Sequence, residues 1–473
     1  MRTDARAGAP LTGLTRAELE FFATGQVEFA EAEGAADGLG PRMNLDNCGG
    51  CHAHPRFGGS SSRVNPQVTF GKQSRAGKLP SFVTADGPIR VVRFVRNADG
   101  SADGRVQPLF TIAGRGDAPG CDLAQPDFNA AFARQNAVFR IPTPVYGAGL
   151  IEQIPDSTIL ANQSADAALK KALGIVGRPS FARISTGQLS PPHGAQGPLA
   201  RFGWKADNHS VLVAAAAAYQ VEMGVSNEIF PDENLESAAC RFTSGKGDPA
   251  DLAGLPAIDT VQRYRNPLAH RYLFETSQLR ERLAAFGERN PPGSRAVLDM
   301  NSEWTPDLAT SIEKLAAFMR LLAPPTPSKE TPGGASSIAR GAAAFSQVGC
   351  ALCHTPTLRT GNATIAALAD KPVNLYSDLL LHDMGPGLAD GISQGQAGPR
   401  DFRTAPLWGL GERIYLLHDG RTTDVLEAVL LHHSGNAGGS AGESGSEANA
   451  VVDRFARLGE PEKQDLLNFL RSL

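Results

Sequence analysis

Cys48-Gly49-Gly50-Cys51-His52 and Cys350-Ala351-Leu352-Cys353-His354 decide how this chain is read. Both have the pattern C-x-x-C-H. Two thiols three positions apart can each add to one vinyl group of a single haem, and the histidine that follows is then held beneath the iron as its proximal ligand. The competing uses are a redox dithiol, or a zinc site built from Cys48, Cys51, Cys350 and Cys353. A redox dithiol needs no following histidine, and no thioredoxin-like βαβ pattern surrounds either copy. A zinc site leaves His52 and His354 unexplained. The expected cofactors are therefore two covalently bound haem c groups.

Working outward, each motif follows a helical pattern. Before the first, Thr15 and Glu18 form a capping box, and Leu19, Phe22 and Phe29 keep a helical period to about Glu31. Before the second, Ser337 to about Val348 repeats this with Ile338, Ala342 and Phe345. Each half also closes on a helix. One starts at Thr305-Pro306, read as N-cap and N1, and runs through Leu315, Phe318, Met319 and Leu322. The other starts at Glu460-Pro461 and runs through Leu466, Leu467, Phe469 and Leu470. Helix, haem loop, ligand loop and closing helix make the plan of a small cytochrome c domain, written twice. The expected fold is mainly α: two cytochrome c-like helical domains with long loops and a small β insertion in the N-terminal half.

A Pro/Gly run, Ala323 to Gly334, marks the boundary. The expected units are 1–325, a linker at 326–334, and 335–473. The first unit is long enough to carry insertions within about 57–200, read either as a β-hairpin region or as a separate small β-domain. Ile89 to Val95 is β-branched, and Asn97-Ala-Asp-Gly100 turns the chain back toward Val106 to Ile112.

Composition narrows the function classes. The 473 residues are 41% hydrophobic and 20% charged, which excludes bulk disorder. Lys plus Arg number 45 against 49 Asp plus Glu, so the basic excess of a nucleic-acid binder is missing. The most apolar stretch, Val211 to Val221, is far shorter than the roughly 20 residues that cross a bilayer, so no membrane span is expected. The N-terminus shows no apolar leader. Haem c is attached outside the bacterial cytoplasm, and this favours a removed leader over a cytoplasmic chain. Cys121 and Cys240 remain, read as a disulfide or as two buried thiols.

Gly38-Leu-Gly-Pro-Arg-Met-Asn44, Gly58-Gly59-Ser60, Phe139-Arg-Ile-Pro-Thr-Pro144, Gly147-Ala-Gly-Leu-Ile-Glu152, Phe202-Gly-Trp-Lys205 and Glu222-Met-Gly224 surround the first motif. Tyr376-Ser-Asp-Leu-Leu-Leu-His-Asp-Met-Gly385, Trp408-Gly-Leu410 and Leu417-His-Asp-Gly-Arg421 follow the second. Together they resemble the dihaem oxidoreductase family of peroxidase-like proteins, which is similar to the bacterial dihaem cytochrome c peroxidases and more distantly to the dihaem rubber oxygenases. The resemblance covers nearly the whole chain and implies a periplasmic location.

The second axial position of each iron decides its use. For the second haem the candidates are His382, Met384, His418, His432 and His433. Thr423 to His433 reads as a helix with Leu426, Val429 and Leu430 inward. In the similar peroxidases the segment after H-D-G carries the distal ligand, and His432 falls at that place; His433 and Met384 are the runners-up. For the first haem the resemblance places Trp204 between the haems and Glu222 over an open iron, as acid–base group. Tyr219 matches an aromatic position of the rubber oxygenases, three residues before Glu222 and expected on the same helix side. His209 is a further candidate to close this haem. His54 is too tightly tethered to do so, His193 and His270 read as loop residues, and His418 with Asp419 lies near the second haem.

The function expected is a periplasmic dihaem c-type oxidoreductase. As a peroxidase it takes electrons at the C-terminal haem from a small cytochrome or copper protein, and reduces hydrogen peroxide at the N-terminal haem. The alternatives are an oxygen-activating dihaem oxygenase acting on an organic substrate, and a pure electron-transfer cytochrome. The resemblance also raises a calcium ion between the haems, for which the sequence names no ligands.

Overall fold

The computed structural model describes residues 7–73, 78–182, 198–227, 229–230, 238–240, 242, 310–363, 365–435 and 445–473, and the backbone alone of 262–263 and 272–273. It is rich in helix, with small antiparallel sheets. Helix α1 (Arg16–Ala30) carries both arms of its capping box: the Thr15 N–H donates to Glu18 Oε2 at 2.6 Å, and the Glu18 N–H to Thr15 Oγ1 at 3.3 Å. Strands β1 (Arg42–Met43), β2 (Val91–Phe94), β3 (Val106–Gln107), β4 (Phe110–Thr111) and β5 (Ala137–Arg140) follow in the N-terminal half. Then come helices α2 (Val211–Met223), α3 (Ser311–Leu321) and α4 (Gly334–Val348), strands β6 (Leu381–Asp383) and β7 (Asp401–Arg403), and helices α5 (Val425–Leu430) and α6 (Glu460–Ser472).

The hairpin read from Ile89 to Ile112 is shorter than its sequence pattern. Val92 pairs with Gln107 and Arg93 with Val106, and β5 lies on the other side of β2. Pro108 has no N–H to continue the ladder, and Phe110–Thr111 instead pair with Arg42–Met43 just before the first motif. The start read at Thr305-Pro306 lies outside the described residues. The helix seen there begins at Ser311, and the Thr310 N–H donates to Glu313 Oε2 at 2.9 Å.

The internal repeat is a packing device used twice. Helices α1 and α3 cross at Gly25, where a Cβ would fall 2.2 Å from the Lys314 carbonyl oxygen. Helices α4 and α6 cross at Gly341, where a Cβ would fall 2.0 Å from that of Asp465. Four residues later each first helix presents an aromatic ring to the second: Phe29 lies 4.9 Å from Phe318, and Phe345 lies 5.3 Å from Phe469. The bare glycines let the backbones touch, so the rings meet over the C-x-x-C-H loops. Burying each phenylalanine contributes about 1.5–3 kcal/mol.

Two apolar cores result, and they interlock. Leu173 and Ile175 from the N-terminal half join the core of Phe345, Phe455 and Phe469. Leu368, Leu375 and Trp408 from the C-terminal half join the core of Phe21, Phe110 and Phe318.

Candidate functional site

Each motif opens onto its own cavity. The smaller, of about 230 Å³, is lined by Cys350, Cys353 and His354 together with Val425, Ala428, Val429 and His432. This corrects the expected inner face of α5. Leu426 and Leu430 are 37% and 46% exposed, because the residues on the side of His432 lie three, four and seven positions before it. His354 Nδ1 sits 3.0 Å from the Tyr376 carbonyl oxygen, and His432 Nδ1 sits 2.7 Å from that of Ala428. A carbonyl only accepts, so each Nδ1 carries the hydrogen and each Nε2 keeps its lone pair. Burial holds both rings neutral, pushing His354 down to about 4 with His432 adding to the effect, and pushing His432 down as well. Two bare imidazole nitrogens thus share one cavity.

Of the other expected candidates, His382 and His433 are set apart, while Met384 and His418 stay in the lining. His382 lines the cavity, but both of its nitrogens are occupied, by Asp378 at 2.9 Å and Glu447 at 2.7 Å. Met384 and His418 also line it. His433 does not; it is exposed, 3.5 Å from Asp453.

The larger cavity, of about 1060 Å³, is lined by Cys48, Cys51 and His52. His52 Nδ1 faces the Gly59 carbonyl at 3.0 Å, and burial lowers its pKa against the backbone hydrogen bonds of Gly59 and Thr143. Among the described residues no second histidine lines this cavity. Its far wall is the small-residue face of α2, Ala214, Ala218 and Glu222. Ser210 Oγ caps that helix by accepting from the Val213 N–H at 3.2 Å. Gly224 ends it in the left-handed region at φ 78°, where a Cβ would meet the Gly40 carbonyl oxygen at 2.6 Å. That close approach lays Asn44 beside Glu222. The Asn44 N–H donates to the Glu222 carbonyl at 2.8 Å, and Asn44 Nδ2 donates to Glu222 Oε2 at 2.7 Å. Burial raises the Glu222 carboxyl above its ordinary range, against the pull of Asn44 and Arg93.

Tyr219 is corrected. It is buried outside the cavity lining, and its hydroxyl donates to Glu33 Oε1 at 2.6 Å. The three-residue spacing places Tyr219 on the core face with Leu212 and Ala216, while Glu222 shares the cavity face of Ala214 and Ala218. His209 is buried outside the lining, and His54 Nε2 is held by the Glu412 carbonyl at 2.7 Å. His193 and His270 lie outside the described residues. Sequence reasoning missed Asn44, Arg93 and Asp207, which also line the larger cavity. Asp207 is raised by burial and accepts from Gln394 Nε2 at 2.5 Å. Asn44 was inside a quoted motif, but its partner is distant in sequence, so no spacing announced the pair.

The wall between the cavities contains Ile141, Pro142, Trp204, Arg403 and Arg413, each lining both. Trp204 Nε1 donates to the Ile141 carbonyl at 2.8 Å, and its ring meets His418 edge-on at 6.4 Å between centroids. His418 stacks on Phe402 at 4.3 Å, and Lys205 Nζ lies 4.0 Å over the far ring. Asp390, buried between Arg140 at 2.6 Å and Lys205 at 2.9 Å, ties the two halves together beside this wall.

These residues fit tetrapyrroles better than metal ions alone. The motif thiols lie in pairs on different cavities, so they do not converge as one zinc site. Burial raises Cys48 and Cys350 to about 12, favouring neutral thiols over thiolates. Arg93 Nε and Arg413 Nε are buried at the cavity walls with no acceptor among the described residues, which suits a ligand that brings its own carboxylates. Cys121 and Cys240 form a disulfide. No helix of the described residues is long and apolar enough to cross a membrane.

No curated protein matches this chain. Two solved structures are similar over part of it. The Kuenenia stuttgartiensis hydrazine synthase pressurised with 20 bar xenon shows 17% identity over 34% of this chain and 55% of its own, with a TM-score of 0.23. A MauG-like protein associated with microbial copper homeostasis shows 18% identity over 38% and 60%, with a TM-score of 0.22. The chain thus spans less than two thirds of either, and at such scores neither bears on the fold. A family model described as "Di-haem oxidoreductase, putative peroxidase" matches residues 92–244 and 311–473. The match begins after the first motif but takes in more than half of the chain, with Trp204, Glu222, the second C-x-x-C-H motif and His432. The chain belongs to the di-haem oxidoreductase family.

Proposed function

We propose that this protein is a periplasmic dihaem c-type peroxidase, built as two cytochrome c-like units (1–325 and 335–473, joined by the 326–334 linker). Electrons enter at the C-terminal site from a small cytochrome or copper protein, and hydrogen peroxide is reduced at the N-terminal site. The observation that carries this reading is an asymmetry. The cavity of about 230 Å³ is lined by further histidines beside His354, His432 among them, whereas among the described residues His52 is the sole histidine lining the cavity of about 1060 Å³, which presents the Glu222 carboxyl instead.

Haem bound through Cys48–Cys51 and Cys350–Cys353 supplies the redox-active iron that no side chain can replace. His354 and His432 hold their site closed to exogenous ligands, which suits electron transfer. Glu222, held by Asn44, takes a proton from one peroxide oxygen and returns it to the leaving oxygen; a raised carboxyl pKa favours such two-way traffic. Each peroxide consumes two electrons and two protons and gives two waters. Trp204, part of both cavity walls, is the aromatic bridge for the electrons. The periplasmic location rests on the place where thioether haem is attached and on the Cys121–Cys240 disulfide.

Oxygen activation was motivated by Tyr219, whose hydroxyl is committed to Glu33; no feature of the cavity now favours it. A pure electron carrier needs a second ligand in the larger cavity, where Met223 and Met319 are the sulfur donors in the lining. The test is the spectrum of oxidised holoprotein, followed by peroxide turnover with a reduced small cytochrome. One low-spin and one high-spin haem are expected, the latter responding to cyanide. Two low-spin haems indifferent to cyanide and peroxide would remove the enzyme reading.

A further inference from the structure

Arg413 is a cation with no counter-ion among the described residues, placed where the two cavities meet. It lines both. Nη2 donates to the carbonyls of Pro406 at 2.7 Å and Trp408 at 3.1 Å. Nε is shut away with no acceptor among the described residues, and no ion pair to a described carboxylate involves this guanidinium. Burial alone pulls its pKa down, to about 10, with no carboxylate to offset it. A guanidinium stays charged at any ordinary pH, and a desolvated charge left uncompensated costs several kcal/mol. The fold keeps one here.

The same wall offers poor ligands for a divalent cation. Calcium takes six to eight oxygen ligands, usually with carboxylates among them. No carboxylate side chain lines both cavities among the described residues. Several carbonyls at or beside the wall already accept hydrogen bonds. Ile141 accepts from Trp204, Pro142 from Ser60 Oγ at 2.6 Å, and Thr404 from Ser377 Oγ at 2.6 Å and Arg403 Nη1 at 3.2 Å. Arg403 adds a second buried positive charge, its Nε donating to Gly203 at 2.8 Å. Two guanidinium groups and no shared carboxylate among the described residues make this wall a poor match for calcium.

We propose that Arg413 is the shared counter-ion for the carboxylates of the two tetrapyrroles, a fixed guanidinium standing where a divalent cation would otherwise link the sites. This rests on both cavities holding haem. Each haem brings two carboxylates, and the guanidinium fork binds such groups with matched geometry. One cation touching both cofactors favours the reduced state of each, because positive charge near an iron opposes its oxidation.

The test compares holoprotein with its Arg413→Met and Arg413→Lys variants, reading haem mass after denaturation, both midpoint potentials and bound metal. With two haems attached, Arg413→Met is expected to lower both potentials, and Arg413→Lys to restore most of the shift. Wild-type protein is expected to carry no stoichiometric calcium and to keep both potentials after chelation. Unmoved potentials in Arg413→Met, or movement of only one, overturn the proposal. So does a tightly held calcium whose removal changes the spectrum, a measurement that needs no variant to mature. Wild-type protein without haem mass overturns the underlying reading instead.

Discussion

Asn44 Nδ2 lies 2.7 Å from Oε2 of Glu222, a hydrogen bond between the approach to the first haem motif and the last turn of α2. It sets a buried carboxyl at the wall of the larger cavity and partly offsets the burial that raises its pKa. Replacing Glu222 by Gln keeps the shape and removes the titration. Peroxide turnover is expected to fall by about 100-fold or more, with haem content and the His432-side spectrum unchanged. Retention of wild-type turnover would remove Glu222 from the chemistry. Asn44→Ala deletes an interaction that favours the charged form, so the acidic limb of kcat/KM against pH should move to higher pH.

The proposed ligand role of His432 is open to direct exchange of its side chain. His432→Met exchanges imidazole for thioether and should raise the C-terminal midpoint by a sizeable part of the about 0.8 V that axial ligands span. The N-terminal signal should not change. His432→Ala should leave a second high-spin haem, and a low-spin spectrum in that variant would assign the ligand to Met384 or another lining residue.

His382 is clamped between Asp378 at 2.9 Å and Glu447 at 2.7 Å, and all three are withdrawn from solvent. Burial alone would discharge the ring, but the Cys353 sulfur and the Asp378 carboxylate outweigh it and raise its pKa well above the usual value. A thioether removes the charge on Cys353 and leaves that of Asp378. A raised histidine stabilises the fold fully below its unfolded pKa, near 6.5, and loses this as pH rises through the folded value. Asp378 and Glu447 are lowered, despite burial, chiefly by His382. Their contribution is present above the unfolded carboxyl range and is lost as pH falls through the folded values. His382→Gln leaves two buried carboxylates facing a neutral amide and should cost about 3–5 kcal/mol, read by chemical denaturation of holoprotein. A loss under 1 kcal/mol would show that the clamp is not a charged one.

Gly25 and Gly341 make equivalent crossings, so alanine at either should force the helices apart. A cost of about 1–3 kcal/mol is expected, with the disturbed haem spectrum belonging to the half that carries the substitution. Disturbance of both haems by either variant would mean that the interlocked cores respond as one body.

The two C-x-x-C-H runs were legible because attachment to one haem is local chemistry: thiols and ligand fall within five consecutive residues. The capping box of α1 and the closing helices were legible for the same reason, as their signals span one turn. His432 was found through resemblance alone; the face it shares with Val425, Ala428 and Val429 emerged from the fold, and the inward leucines of that reading point outward. Tyr219 and Glu222 misled because a three-residue offset is compatible with either side of a face boundary, and only the packing of α2 against Glu33 and Asn44 settles which side each takes.

Sequence by itself marked the two C-x-x-C-H runs and the helices that frame them, because motif spacing and helical period act over a few residues. Tertiary structure decided which cavity gathers several histidines and which has His52 alone among the described residues, and that the Glu222 carboxyl lines the latter. It also set Arg413, which has no ion-pair partner among the described residues, between the cavities. Those outcomes depend on residues tens to hundreds of positions apart, brought together by burial of apolar surface, which has no fixed sequence spacing.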